Sequence, residues 1–428
     1  MKTLVIGTGY VGLVSGSCFA ALGTSVTCVD IDKAKINNLK KGIIPIYENG
    51  LEALVKKCYR SKKLKFSSDI ALELKNSDII FIAVGTPSAK DGSADLTYIY
   101  NVAKAIAKNA KNNCVIVTKS TVPVGTNDKV RDLIKKLNPK LRFEVASNPE
   151  FLREGNAVKD FMEPDRVIIG AANSAAFKKI AALYRPIKNV KILHTDIRTA
   201  EMIKYTANAF LAMKVSFINE VADICESLGA DIEKVSEGIG MDSRIGSKFL
   251  KTGPGFGGSC FPKDTLAMQR IARDAKAPSK IVEAVIKAND SRKINMAKKI
   301  IKACGGSVKG KKIGILGIAF KADTDDIRDS SALVIIEQLL KAGANISAYD
   351  PEGMENAKKY FGKRAGLKFV SSKEEIIKSC NIISIITEWK EFKNIKTSAL
   401  KGKTLIDLRN LYVSADMKGV KYISLGRK

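Results

Sequence analysis

Between residues 253 and 264 the chain reads GPGFGGSCFPKD, placing Cys260 behind a run of glycines and in front of Lys263 and Asp264. A thiol becomes a nucleophile when positive charge favours its thiolate and when a substrate can reach it. Gly255, Gly257 and Gly258 are expected to supply access and positive-φ freedom, while Lys263 and a helix opening near Pro262 supply positive potential. The same residues also read as a tight turn around an incidental, buried Cys260.

A second set with chemical meaning opens the chain. GTGYVG places glycines at 7, 9 and 12 between a strand, TLVIGT, and an apolar helix, VGLVSGSCFAALG; a second strand, SVTCVD, then ends in Asp30. This is a βαβ unit in which backbone can approach a pyrophosphate at a helix N-terminus and an acid can bond ribose hydroxyls. A carboxylate at position 30 repels a ribose 2′-phosphate, so NAD is expected rather than NADP. A nicotinamide site together with a nucleophilic thiol implies oxidation beyond the alcohol stage. An alcohol gives an aldehyde, the thiol adds to form a thiohemiacetal, and a second oxidation gives a thioester that water hydrolyses. Two NAD are consumed per turnover.

The elements that must position these groups follow along the chain. Segments 78–87, 114–123 and 143–152 read as strands with small polar residues at their ends, so Thr86, Thr121 and Glu150 are expected to border one crevice. Either threonine alone also reads as a cap or turn residue. Residues 198–228 have helical apolar spacing and no proline before Gly229, which predicts one long helix of the kind that bridges domains or subunits. Lys204 and Asn208 lie one turn apart on it; from this segment alone a solvated lysine is the plainer reading. Helical stretches at 264–276 and 278–303 lead to the linker CGGSVKGKK. A second nucleotide-fold pattern follows, KKIGILGIAFK, SSALVIIEQLLKAGA and NISAYDP, with Asp350 ending a strand. Its glycine spacing departs from GxGxxG, so a nucleotide-type ligand held differently is expected, with Lys321 available to a phosphate and Arg409 at the end of a later strand. The fold class is therefore α/β, two Rossmann-like doubly wound domains joined by a long central helix. Its parts are residues 1–197 (NAD binding), 198–305 (helical, with the thiol loop) and 306–428 (a nucleotide-type ligand).

Bulk properties set limits. The 428 residues are 45% hydrophobic and 27% charged, an ordinary globular composition. A formal charge of +28 raises the question of nucleic acid. The lysines, however, are spread along the whole length without an arginine-rich stripe, and KKCYRSKKLK is only a local cluster, so no nucleic-acid partner is expected. No apolar run reaches a membrane-spanning length and no signal pattern opens the chain, so a cytoplasmic protein with no membrane partner is expected. Eight singly placed cysteines suggest buried small hydrophobes in a reducing compartment, Cys18, Cys28 and Cys225 among them. The single histidine, His194, is read as structural, and no metal site is expected.

GTGYVG, PIYENGLE, STVPVGT, NPEFLREGNAVKDF, PDRVIIG, KYTANAFLAMKVSFINE, GFGGSCFPKD and GIAFKADTDDIRDS, in this order over essentially the whole chain, resemble the nucleotide-sugar dehydrogenases, above all those acting on UDP-glucose. The resemblance implies that Cys260 is the nucleophile, that Lys204 and Asp264 handle protons through water, and that Glu150 is the base for thioester hydrolysis. It implies that Thr121 orders that water and that Asn208 joins Lys204 in holding the sugar. For NAD it points to Gly7, Gly9, Tyr10, Val11, Gly12, Asp30, Lys35, Thr86, Thr121, Glu154, Lys263 and Arg328. For the UDP-sugar it points to Glu150, Phe151, Leu152, Arg153 and Glu154, then Phe249, Leu250, Lys251, Thr252 and Gly253, with Gly257, Lys321 and Arg409. Arg244 would reach the ligand of a neighbouring subunit, which implies a homodimer built on the long helix.

One departure is Asn49, where the family often has proline, a turn-stiffening position at most. Dehydrogenases of UDP-N-acetylhexosamines usually carry a histidine beside the cysteine, where this chain has Ser259, and those of GDP-mannose a leucine after it, where this chain has Phe261. UDP-glucose is the favoured substrate. A catalytically silent nucleotide-sugar-binding module is the alternative of a different class.

Overall fold

Continuous apolar runs such as IIFI and CVIVT suit strands covered on both faces, and the computed structural model uses them so. It describes residues 1–89 and 91–427, in two compact units, Met1–Ala207 and Asn208–Lys428. In the first unit, β1 (Lys2–Ile6), β2 (Ser25–Val29), β3 (Leu64–Ser67), β4 (Ile79–Ile82), β5 (Cys114–Thr118), β6 (Phe143–Ser147), β7 (Val167–Ala171) and β8 (Ile192–Thr195) form a sheet ordered β3-β2-β1-β4-β5-β6-β7-β8. Alternate residues feed two cores. Val5, Phe81, Val115 and Val117 pack with Leu13 and Phe19 on one face, and Leu4, Ile6, Ile80 and Ile116 pack with Ile99 and Ile134 on the other. All pairings are parallel except β6 with β7. The strand order places the first crossover reversal between β1 and β4, where open α/β sheets bind ligands.

The second unit repeats the plan with β9 (Lys312–Leu316), β10 (Asn345–Tyr349), β11 (Leu367–Phe369), β12 (Ile382–Ile385), β13 (Thr404–Asp407) and β14 (Lys421–Ile423), ordered β11-β10-β9-β12-β13-β14. Two doubly wound α/β sheets are thus present, as the patterns at both ends of the chain implied. The long helix runs from Ile197 to Leu228, beginning in the first unit and continuing into the second.

Three strands are shorter than their apolar runs suggested: 78–87, 114–123 and 143–152 contract to β4, β5 and β6. Pro87, Pro123 and Pro149 cannot donate to a ladder, and the residues before them leave the sheet as loops. The helix after the thiol loop starts earlier than 264, at Phe261, because Pro262 fits the first helical turn, where a missing N–H costs nothing; it ends at Asp274, and the next helix spans Lys280–Ala303.

Candidate active site

The first unit builds its glycine turn from three glycines with different duties. Gly7 has φ +101, and a Cβ there would lie 2.6 Å from the Ala83 carbonyl oxygen. At Gly12 a Cβ would lie 1.9 Å from the carbonyl oxygen of Gly7, so this glycine lets helix Tyr10–Ala21 close on the turn. At Gly9, the N-cap of that helix, a Cβ would meet nothing within 4 Å. Open space over an N-terminus without a side-chain cap suits a phosphate. The Asp30 carboxylate accepts from Thr8 N at 2.9 Å and Thr8 Oγ1 at 2.7 Å, and Lys35 Nζ lies 3.3 Å away. Burial pushes this carboxyl upward, but these partners and the Asp32 amide outweigh it and hold it below the usual range. These residues fit a bound NAD.

Further along the strand ends, Thr86 Oγ1 donates to the carbonyl oxygen of Thr121 at 2.9 Å, which joins the loops after β4 and β5. Beyond β6, Glu150 and Lys204 form a buried ion pair at 3.2 Å, 6% and 3% exposed. Lys204 is therefore not a solvated lysine. The Phe151 ring lies under the Lys204 ammonium at 5.2 Å and the Arg166 guanidinium at 3.7 Å. Glu150 also accepts from the amide of Leu152. The Arg153 guanidinium is held by Asp160, and Glu154 is buried.

Glu48 ties this segment to the cofactor turn. It receives the Tyr10 hydroxyl, Gly155 N at 2.7 Å and Ala157 N at 2.8 Å. Its neighbour Asn49 does more than stiffen a turn, since Asn49 Nδ2 donates to the Gly155 carbonyl oxygen at 3.1 Å. Val11 packs against the core on the same side as Leu13. His194 stacks on Phe177 with ring centroids 4.2 Å apart, in keeping with a structural role.

The second unit carries Cys260, which is partly exposed, whereas the chain's other seven cysteines are buried. Cys260 is the N-cap residue of helix Phe261–Asp274, without a side-chain capping bond, at the end of the helix where unpaired N–H groups gather positive potential. Ser259 Oγ lies 3.5 Å from the sulfur. Asp264, fully buried, accepts from Asn208 Nδ2 at 2.6 Å and Lys263 Nζ at 2.6 Å. The loop glycines divide their work. Gly255 (φ +117) and Gly258 (φ +83) use left-handed backbone, but Gly257 does not; it is required because a Cβ would lie 2.4 Å from the Asp329 carbonyl oxygen. Gly258 N donates to the Arg328 carbonyl oxygen at 2.7 Å, and a Cβ at Gly253 would lie 2.9 Å from the Arg409 guanidinium.

Several predicted sugar-site residues are already engaged. Leu250 lies in an apolar cluster with Ile218, Ala222 and Ile232, so a ligand contact from it comes through main chain. Thr252 Oγ1 and Gly253 N both donate to Asn219 Oδ1, at 3.1 and 2.8 Å. Phe249 has φ +65 and Lys251 is exposed. Lys321 sits 5.5 Å over the Phe320 ring, Arg328 is paired with Asp326, and Arg409 donates to the Ile386 and Phe320 carbonyl oxygens. Arg244, paired with Asp242, projects from the surface.

The patterns did not single out the residues that hold this loop. Asn289 exchanges bonds with Phe256 N and O at 2.8 and 3.1 Å, and Arg292 Nε donates to the Gly253 carbonyl oxygen at 3.0 Å. Both are buried within helix Lys280–Ala303, and the burial of a polar side chain is not visible in the sequence.

Comparison with known proteins accords with this geometry. Residues 1–188 match the NAD binding domain of the UDP-glucose/GDP-mannose dehydrogenase family, 198–291 its central domain and 314–414 its UDP binding domain. A UDP-glucose 6-dehydrogenase of Rhizobium meliloti (strain 1021) is 49% identical over all of both chains. The chain belongs to the UDP-glucose/GDP-mannose dehydrogenase family. A UDP-glucose 6-dehydrogenase of Bacillus subtilis (strain 168) is 47% identical over all of this chain and 93% of its own. Among solved structures, a UDP-glucose dehydrogenase from the hyperthermophilic archaeon Pyrobaculum islandicum superposes with a TM-score of 0.93 at 36% identity, covering 100% of this chain and 98% of the other. A member of this family is an NAD-dependent oxidoreductase, and the first unit holds its cofactor. Among the described residues, no helix is long and apolar enough to cross a membrane.

Proposed function

We propose that this chain oxidises UDP-glucose to UDP-glucuronate by way of a thioester on Cys260. The observation that carries the reading is the setting of Cys260: a partly exposed sulfur at a helix N-terminus, in a loop of glycines, four residues from a buried aspartate. NAD, when bound, supplies the acceptor for the hydride lost in each oxidation. The Cys260 thiolate adds to the aldehyde carbon, and the thiohemiacetal becomes a thioester once its hydride has left. Water then attacks the thioester, releasing the acid and restoring the thiolate. Lys204 stabilises the oxyanion that develops and, with Asp264, moves protons through water; Glu150 takes the proton of the hydrolytic water, which Thr121 orders. Asn208, already bonded to Asp264, orients the sugar.

The work divides among residues 1–197 for NAD, 198–305 for the thiol and 306–428 for the UDP portion. The sugar end takes the main chain of Phe249 to Gly253 and the Lys321 and Arg409 cations. UDP-glucose is favoured over GDP-mannose and over N-acetylated UDP-hexoses because relatives at 46% to 49% identity are UDP-glucose enzymes, whereas a UDP-N-acetylmannosamine dehydrogenase from Staphylococcus aureus is 28% identical.

The active form is a homodimer. Phe210, Phe217 and Ile224 lie seven residues apart on one face of the long helix and are 56%, 55% and 56% exposed, a stripe that a second copy would cover. Arg244 then reaches the partner's ligand. The eight free thiols suit a cytoplasmic protein. The test is NADH absorbance with a panel of UDP-glucose, UDP-galactose, GDP-mannose and UDP-N-acetylglucosamine. Two NADH per UDP-glucose supports the reading; tight UDP-glucose binding without NADH identifies a silent binding module.

A further inference from the structure

Lys119 takes no part in the reaction above, yet it follows β5 directly and turns its side chain into the first unit, where it is 3% exposed. Its ammonium donates to the Asn148 carbonyl oxygen at 3.3 Å, to Asn148 Oδ1 at 3.1 Å and to the Tyr184 hydroxyl at 3.3 Å. These three acceptors use the three donors of a lysine, and each is neutral. Asn148 cannot turn away, since its Nδ2 donates to the Ile168 carbonyl oxygen at 2.8 Å and its Oδ1 also accepts from the Tyr184 hydroxyl at 2.6 Å. Asn148 stands two residues before Glu150, and Lys119 two residues before Thr121. One ammonium therefore pins the two strand ends from which both groups project.

The groups facing Lys119 come from every element packed around it. Cys18 comes from helix Tyr10–Ala21, Tyr184 from helix Ser174–Tyr184, Glu150 from beyond β6 and Lys204 from the long helix; the Phe161 ring lies 5.9 Å from the ammonium. Two lysines and one carboxylate are thus buried together, one positive charge more than the pair can neutralise. We propose that Lys119 is a positioning residue, which fixes Glu150 and Thr121 and sets a second buried positive charge beside the Glu150–Lys204 pair. Burial, with the Lys204 charge added, pushes the Lys119 ammonium down to about 8 against the pull of Glu150, so it is still charged at neutral pH.

The inference rests on the proposed roles of Glu150 and Lys204, and two measurements keep its failure separate from theirs. The first is kcat against pH for wild type, Lys119→Met and Tyr184→Phe with UDP-glucose and NAD. With Lys119 charged below about 8 and neutral above it, wild-type kcat should fall as pH rises through that value. That fall is expected to be absent in Lys119→Met, with kcat at neutral pH roughly tenfold or more lower and both KM values within about threefold. Tyr184→Phe, which removes one acceptor from the ammonium, should move the fall to lower pH. A lower kcat with the same fall in both variants means that the Lys119 charge plays no part, and overturns the proposal.

The second measurement is thermal melting against pH, which needs no activity. The native lysine loses its proton near 8 and the unfolded one near its ordinary value of about 10.4, so the folded state is relieved of a buried charge as pH rises between the two. Wild type should gain stability over Lys119→Met across that range. A difference independent of pH shows that Lys119 is not a buried cation, whatever the enzyme oxidises.

Discussion

The two glycine turns, one in each unit, end in the same way, with an aspartate at the tip of the neighbouring strand, but the aspartates do different things. Asp30 keeps 16% of its side chain exposed and bonds chiefly to Thr8 and Lys35, beside the open space at Gly9. Asp350 is fully buried and accepts from five donors: the amides of Ile318, Ala319, Glu352 and Gly353 at 2.6, 2.9, 3.0 and 2.7 Å, and Trp389 Nε1 at 3.1 Å. In the second unit the protein's own carboxylate and indole occupy the turn, and Gly317 (φ +97) packs against Thr387 as Gly7 packs against Ala83. One motif therefore serves a ligand in one sheet and the fold in the other. The difference lies in whether the acid's lone pairs are spent internally.

The comparison can be broken at several points. The largest effect is expected from Cys260→Ser, which should lower turnover by about a thousandfold or more while UDP-glucose still binds, as measured by NADH production and calorimetry. Near-normal acid production would show that no thioester forms. Next, Asp350→Ala strands five buried or partly buried donors and should cost about 3 kcal/mol or more in thermal unfolding. If it costs under about 1 kcal/mol, the second turn is not self-sealed.

Asp30→Ala should do the reverse, raising the KM for NAD roughly tenfold or more while unfolding changes by about 1 kcal/mol at most. An unchanged KM for NAD removes Asp30 from the cofactor site. The finest distinction is between neighbouring glycines. Gly9→Ala meets no protein atom and should leave stability within about 0.5 kcal/mol while weakening NAD, whereas Gly7→Ala, strained at φ +101, should lose about 2 kcal/mol. Equal stabilities for the two variants would mean that Gly9 is structural as well.

Much of the fold was legible because the signals are local. Alternating and continuous apolar runs marked the sheets, and the proline-free stretch after 198 marked the long helix to within a residue. Strand ends were less legible, since a run such as DIIFIAVGTP does not show where a ladder stops until the neighbouring strand is known. Within the site, Gly7 and Gly255 were legible from turn chemistry, but Gly257 was read for the wrong reason: its constraint is the carbonyl of Asp329, more than seventy residues away. Glu48 and Asn49, which fasten the segment after Glu150, were equally hidden, because their partners Gly155 and Ala157 lie over a hundred residues on.

What the chain alone determined is therefore the inventory: two nucleotide-binding sheets, a glycine turn ending in an acid in each, and one cysteine in a loop of glycines ahead of a helix. These depend on backbone freedom and on apolar periodicity, both of which act over a few residues. Tertiary structure decided the availability of each group. It left Asp30 partly open and sealed Asp350, buried Lys204 against Glu150, and turned Lys119 inward. Burial and charge pairing are properties of neighbours in space, and no spacing along the chain states who those neighbours are.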